Sequence, residues 1–324
     1  MVFVFFQVLN FDLNGFIAKF ANLDWRFLSL ASFFSVLTII TNAYRWWIIT
    51  KGFNYLISYS TALLWYFEGM FANNFFPSNV GGDALRAFYL ASEPGVRKAY
   101  GQSEPVLKPD SALTSNHDWL SAGLTVILER LFGFTMMFFF FPLSLIFIYA
   151  NDLSNSMPER LLQALFILSS IPFVAFFGYK LWIKIPIPLA IFQKVKLAIS
   201  EFIVHKRFVF LVMLWTFITH VFLMAINVFS ALALGISDIP FWYWFLLVPL
   251  ATLASYVIPA VKGIGAREAT YVFLLSILGV SSDNAFAIAV AVFLATVLSS
   301  VPGISLLRKG KEVFRIFKGS DKLG

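Results

Sequence analysis

Long apolar runs, uninterrupted by charge, recur along this chain, and several reach the roughly 20 residues that a helix needs to cross hydrocarbon. That feature leaves few folds open. A spanning segment must pair all its backbone groups internally, so it is either a helix or part of a closed barrel. The runs are continuous rather than alternating, which argues against a barrel. The composition agrees: 60% of the residues are hydrophobic, 13% are charged and 40 are Phe. The sequence therefore predicts an all-α, polytopic integral membrane helix bundle. With no Cys in the chain, disulfides, thiol chemistry and Cys-held metals are excluded.

The spanning candidates, about seven or eight, are Phe27–Ile49, Tyr55–Phe76, Ala122–Ala150, Leu161–Leu181, Phe208–Leu234, Phe241–Pro259, Glu268–Leu278 and Ala285–Leu307. Residues 1–26 lack a basic n-region and a cleavage site, and are expected to lie at the interface. Orientation follows from Lys and Arg. The stretch from Lys180 to Arg207 carries six of them, and the tail at 308–324 carries six more. These loops, with Arg97, Lys98 and Lys108, are placed in the cytoplasm, and so is the C-terminus. The membrane is expected to be a prokaryotic plasma membrane. Lys19 and Arg26 fall on the opposite side and are assigned to the interface. Residues 189–205 read as a basic amphipathic helix on the inner leaflet, and residues 93–119 as a polar cytoplasmic excursion.

Two candidates are broken. Tyr55–Phe76 runs into Pro77 and Gly81-Gly82, then resumes as a short segment. Phe241–Pro259 runs into "PAVKGIGARE" and then resumes. Pro77-x3-Gly81-Gly82-Asp83-x2-Arg86 stands beside Pro259-x3-Gly263-x-Gly265-x-Arg267-Glu268. In each, Pro ends a helix, Gly turns the backbone, and a short helix opens with an acid and an Arg. The positive-inside assignment gives the halves 27–150 and 208–307 the same plan in opposite orientation, with 161–181 as a linking helix. Inverted halves carrying discontinuous helices mark a transporter, with its site at the breaks. Simple kinks in two ordinary spans are the other reading.

The breaks suggest an anion site. A helix beginning after Gly82 or after Gly265 has unpaired N–H groups at its start. Arg86, Arg267 and Lys262 could hold a phosphate, with the backbone of Gly81, Gly82, Gly263 and Gly265 close by. Asp83 and Glu268 would cap their helices or orient the Arg side chains, and mutual neutralisation of Asp83 with Arg86 and of Arg267 with Glu268 is the blander possibility. Glu68 is an intramembrane carboxylate and a candidate proton site. Asn74, next to Asn73, could satisfy the break or touch a headgroup. The pair Glu129-Arg130 reads either as functional or as a snorkelling ion pair at the inner interface. Arg45, in "YRWW", reads first as part of an anchoring belt, with contact to a lipid headgroup as the other reading. No P-loop, HExxH or nucleophile setting is present. No catalytic residue, metal or cofactor is assigned, and nucleic acid is not expected as a partner.

The stretches "NFFPSNVGGDALRA", "ERLFG" and "PAVKGIGARE", in this order, resemble the flippase-like membrane domain of lysylphosphatidylglycerol synthases. The same domain occurs in stand-alone proteins and in archaeal dolichol-linked glycosyltransferase relatives. The likeness covers roughly 27–307. By position it carries over to Asn74, Pro77, Gly81, Gly82, Asp83 and Arg86, to Glu129 and Arg130, and to Pro259, Gly263, Gly265, Arg267 and Glu268. The chain departs from the family at Val261, where a second Pro is usual, and at Lys262, where Gly is usual. The resemblance implies no lysyl transfer by these residues. It implies movement of an anionic phospholipid or a polyprenyl-phosphate-linked lipid between leaflets. The alternative is a non-transporting membrane subunit of a lipid-modifying or glycosyl-transfer enzyme. A partner enzyme is possible under either reading, and the oligomeric state is open.

Overall fold

The computed structural model describes residues 17, 19–53, 55–75, 81–92, 97–98, 119–182, 205–257 and 265–305. The helices are α1 (Trp25–Gly52), α2 (Tyr59–Ala72), α3 (Gly81–Ser92), α4 (Trp119–Ala150), α5 (Glu159–Trp182), α6 (Lys206–Ala233), α7 (Trp244–Val257), α8 (Ala266–Ile277) and α9 (Ser282–Ser300). A 3-10 turn, Val301–Ser305, continues α9. Of the described helices, α1, α4, α6 and α9 with its 3-10 extension are long and apolar enough to cross a membrane. Their outer surfaces present Phe33, Ile146, Phe210 and Leu298, all exposed, as hydrocarbon requires. The expectation of an all-α membrane bundle is met.

The element order repeats. A helix of 28 residues is followed by one of 14, a break, one of 12 and then a long helix. At 1.5 Å per residue the 14- and 12-residue helices span about 21 and 18 Å, too short to cross about 30 Å of hydrocarbon. Each pair instead folds back on itself. In the first, Gly69 lies against Gly82 and Trp65 against Tyr89 at 5.4 Å, so α3 returns antiparallel along α2. In the second, the Tyr243 hydroxyl, just ahead of α7, donates to the Leu274 carbonyl near the end of α8 at 2.5 Å. Both breaks are therefore tips of helical hairpins.

The first helices of the two halves, α1 and α6, pack along their lengths in opposite directions. Asp24 N–H bonds the Ala233 carbonyl, Phe34 stacks on Phe229, Thr219 donates to Thr41 at 3.0 Å and Arg45 reaches Thr216. Small and hydroxylated residues line this seam, which lets the backbones approach closely where lipid gives no hydrophobic drive. Two apolar cores follow. One surrounds the α2–α3 hairpin, with Trp46, Trp65, Phe88 and Leu124. The other surrounds the α7–α8 hairpin, with Phe141, Trp244, Leu275 and Ile288. Tyr55–Leu56 pairs antiparallel with Arg97–Lys98, so the excursion expected at 93–119 is tied down near its start. The rest of that stretch, the amphipathic helix expected at 189–205, the tail at 308–324 and most of 1–26 lie outside the described residues.

A buried charge cluster and cavity between two hairpin tips

Asn73 closes the first tip. Its Oδ1 accepts the Gly82 N–H at 2.7 Å, which satisfies one of the opening amides of α3. Gly82 is there for packing: a Cβ on it would overlap the Gly69 carbonyl. Asn74 reaches across to the Ser300 hydroxyl at 2.9 Å, tying this tip to α9. At the second tip, Gly265 has φ +99°, a conformation that L side chains rarely adopt. Its N–H donates to Glu268 Oε2 at 2.5 Å, and Glu268 Oε1 accepts from Arg267 Nη2 at 2.7 Å. The opening amides of Gly82 and Gly265 are thus engaged by the protein's own side chains.

Beside the first tip lies a buried ionic cluster. Glu129 is its hub. Its Oε1 accepts from Arg45 Nη2 at 2.9 Å and from the Tyr66 hydroxyl at 2.8 Å. Its Oε2 accepts from Arg86 Nη1 at 2.8 Å. Arg86 Nη2 bonds Asp83 Oδ1 at 2.6 Å, and Arg130 Nε bonds Asp83 Oδ2 at 2.7 Å. Arg130 also donates to the Tyr256 hydroxyl on α7. Arg86 lies over the Tyr66 ring at 4.1 Å and near Trp46 at 5.0 Å, so its charge is also met by aromatic faces. Four elements of the first half supply this cluster, and Arg130 carries it on to the second hairpin.

Several expectations change here. Glu129 is 1% exposed, so it is no snorkelling residue at the interface. Arg45 is 5% exposed and reaches inward, because an acid on α4 and a hydroxyl on α6 meet it there; it is not part of an anchoring belt. Trp46, beside it, is fully buried and donates to Thr125. Arg86 has both terminal nitrogens on carboxylates, so here it braces α3 against α4 instead of facing a ligand. The neutral pairings Asp83 with Arg86 and Arg267 with Glu268 are both present. Gly82 meets Gly69 rather than open space, and Gly81 opens α3 half-buried. Glu68 is fully buried and accepts from Ser305 at 3.1 Å, on the side of α2 that holds the 3-10 turn. Pro77, Pro259, Val261, Lys262 and Gly263 lie outside the described residues.

Between the tips is a cavity of about 240 Å³. Arg45, Tyr66, Asn73, Glu129 and Arg130 line it from the first half, and His220, Asn227, Tyr256, Arg267 and Tyr271 from the second. Apolar wall is supplied by Met137, Leu223, Val248 and Val292. Sequence reasoning gave Arg45 a headgroup contact only as its second reading, and missed Tyr256, Tyr271 and His220 as lining groups. The repeat pattern could have drawn attention to Tyr256, which stands just before the second break; nothing local marked the other two.

The fold and this site define an integral membrane helix bundle whose two broken hairpins meet at a charged internal cavity. The family described as lysylphosphatidylglycerol synthase TM region matches residues 1–303, and the chain belongs to that family. The match includes the first 26 residues as well as the broken hairpins. No curated protein and no solved structure matches it.

Proposed function

We propose that this chain moves an anionic lipid between leaflets, a phospholipid or a polyprenyl-phosphate-linked lipid, and does not itself modify that lipid. The observation carrying this reading is the cavity at the meeting point of two oppositely built hairpins, with arginines from both halves in its walls. The cavity is smaller than the roughly 300–1,000 Å³ of a pocket that encloses a drug-sized ligand. It suits a headgroup phosphate, with the acyl or prenyl chains left in the surrounding lipid. Arg267, with Arg45 and Arg130 of the opposite wall, holds the phosphate oxygens. The α2–α3 and α7–α8 hairpins rock against each other and expose the cavity to one leaflet and then the other. Asp83 and Tyr256, which share Arg130, couple the hairpins during that motion. The basic loops orient the chain with its C-terminus in the cytoplasm.

The test is movement of labelled phosphatidylglycerol and of a labelled polyprenyl-phosphate-linked sugar across liposomes containing the purified protein. Movement above empty liposomes, lost in folded Arg130→Ala and Arg267→Ala, supports the reading. No movement of either lipid, or movement indifferent to both substitutions, refutes it.

A further inference from the structure

Among the described residues, the ionic cluster does not balance. Arg45, Arg86 and Arg130 are paired there with Asp83 and Glu129, which leaves one guanidinium more than carboxylates beside the cavity, while Glu68, also buried, is held against Ser305 on another side of α2. On the far wall Arg267 is matched by Glu268. Taking an unmatched charge out of water is costly, so the cluster needs a counter-charge. The cavity is the place for it, since Arg45, Arg130 and Arg267 all line its walls. A second observation agrees. Arg45 Nε and Arg267 Nε are buried without hydrogen-bond partners. Guanidinium N–H groups only donate, so each lacks an acceptor. The two orphaned donors come from opposite halves.

We infer that Arg45 and Arg267 are opposing jaws for one negatively charged group, and that the cavity selects a ligand carrying a single negative charge. The matching chemistry is a phosphodiester. A phosphomonoester carries close to two charges at neutral pH and over-neutralises the site. Binding turns the two guanidiniums toward the ligand, which gives their Nε atoms the acceptors they lack. The lipid as source of the phosphodiester rests on the translocator reading; the charge count does not.

The test is binding to the full-length protein in detergent, read by calorimetry at low salt. The probes are dihexanoyl phosphatidylglycerol, dihexanoyl phosphatidate, dihexanoyl phosphatidylcholine and dimethyl phosphate. The singly charged lipid is expected to bind best, at least about tenfold tighter than the zwitterionic one. Arg45→Gln and Arg267→Gln should each weaken it by about tenfold or more, with partial recovery in Arg45→Lys, which keeps the charge. Asp83→Asn, which adds a positive charge, should shift preference toward phosphatidate. Glu268→Gln does the same from the other wall and serves if Asp83→Asn does not fold. Dimethyl phosphate binding with the same dependence on Arg45 supports the site and shows that the chains add little. Equal binding of all headgroups, or affinity unchanged in both Arg→Gln variants, overturns the inference. Correct binding without movement across liposomes would sink the translocator reading alone, while movement that ignores headgroup charge and Arg45 would sink this inference alone.

Discussion

Glu129 illustrates what a buried charge requires. Its two oxygens take three donors from three different helices, so removing its charge leaves two guanidiniums facing each other out of water. Glu129→Gln is therefore expected to destabilise the bundle by about 3–5 kcal/mol, read as a lower midpoint in detergent unfolding. Tyr66→Phe, which removes one hydrogen bond to a charged group, should cost about 1.5–3 kcal/mol and leave the ion pairs in place. Equal effects from the two would contradict the hub assignment. Part of this was legible in the sequence. Asp83 and Arg86 lie three apart on one helix, where a pair forms by local geometry. The partners of Glu129 were not legible, because Arg45 and Arg86 approach it across 84 and 43 positions of chain. The anchoring reading of Arg45 failed for the same reason. In isolation, an Arg beside two Trp near a helix end has the look of an interfacial anchor.

Among the helices, close backbone approach holds the hairpins together. The α2–α3 contact has Gly on both sides, and Gly303 of the 3-10 turn sits against the Phe67 carbonyl. Gly82→Ala and Gly303→Ala are each expected to cost at least about 1–3 kcal/mol through overpacking. Gly123→Ala is the control. It is helical, with open space where the Cβ would stand, so it should be neutral or stabilising by about 0.5–1 kcal/mol. A thermal series of the three variants checks this, and uniform behaviour would mean the hairpin contact is looser than described. The spans were readable because apolar length is a strong signal. The hairpin pairing was only suggested, since Pro and Gly mark a break without saying whether the chain turns back. What decides it is the Gly69–Gly82 contact, which no local pattern encodes.

At the scale of the whole molecule, two halves with the same element order meet with α1 and α6 antiparallel. That orientation can be tested directly because the chain has no Cys background. Thr41→Cys with Thr219→Cys should cross-link on mild oxidation, since the two hydroxyls lie 3.0 Å apart. Thr41→Cys with Phe229→Cys should not, because Phe229 packs about two to four turns earlier on α1, against Phe34 and Phe27. The matched breaks in the sequence suggested two halves of one plan, while its basic loops could not separate re-entrant hairpins from full spans, and nothing in it could show that the two tips share one cavity. That depends on packing between segments far apart in the chain, such as Arg130 with Tyr256.

The central claim is that the hairpins must move for lipid to cross. The most direct measurement locks one tip. In Asn74→Cys with Ser300→Cys, a disulfide would fasten the first hairpin to α9, where the native side chains already bond at 2.9 Å. Movement of labelled phosphatidylglycerol across liposomes would be followed before oxidation, after it, and after reduction. The account predicts movement that stops when the tip is locked and returns when the disulfide is reduced. Undiminished movement with the cross-link complete would contradict it.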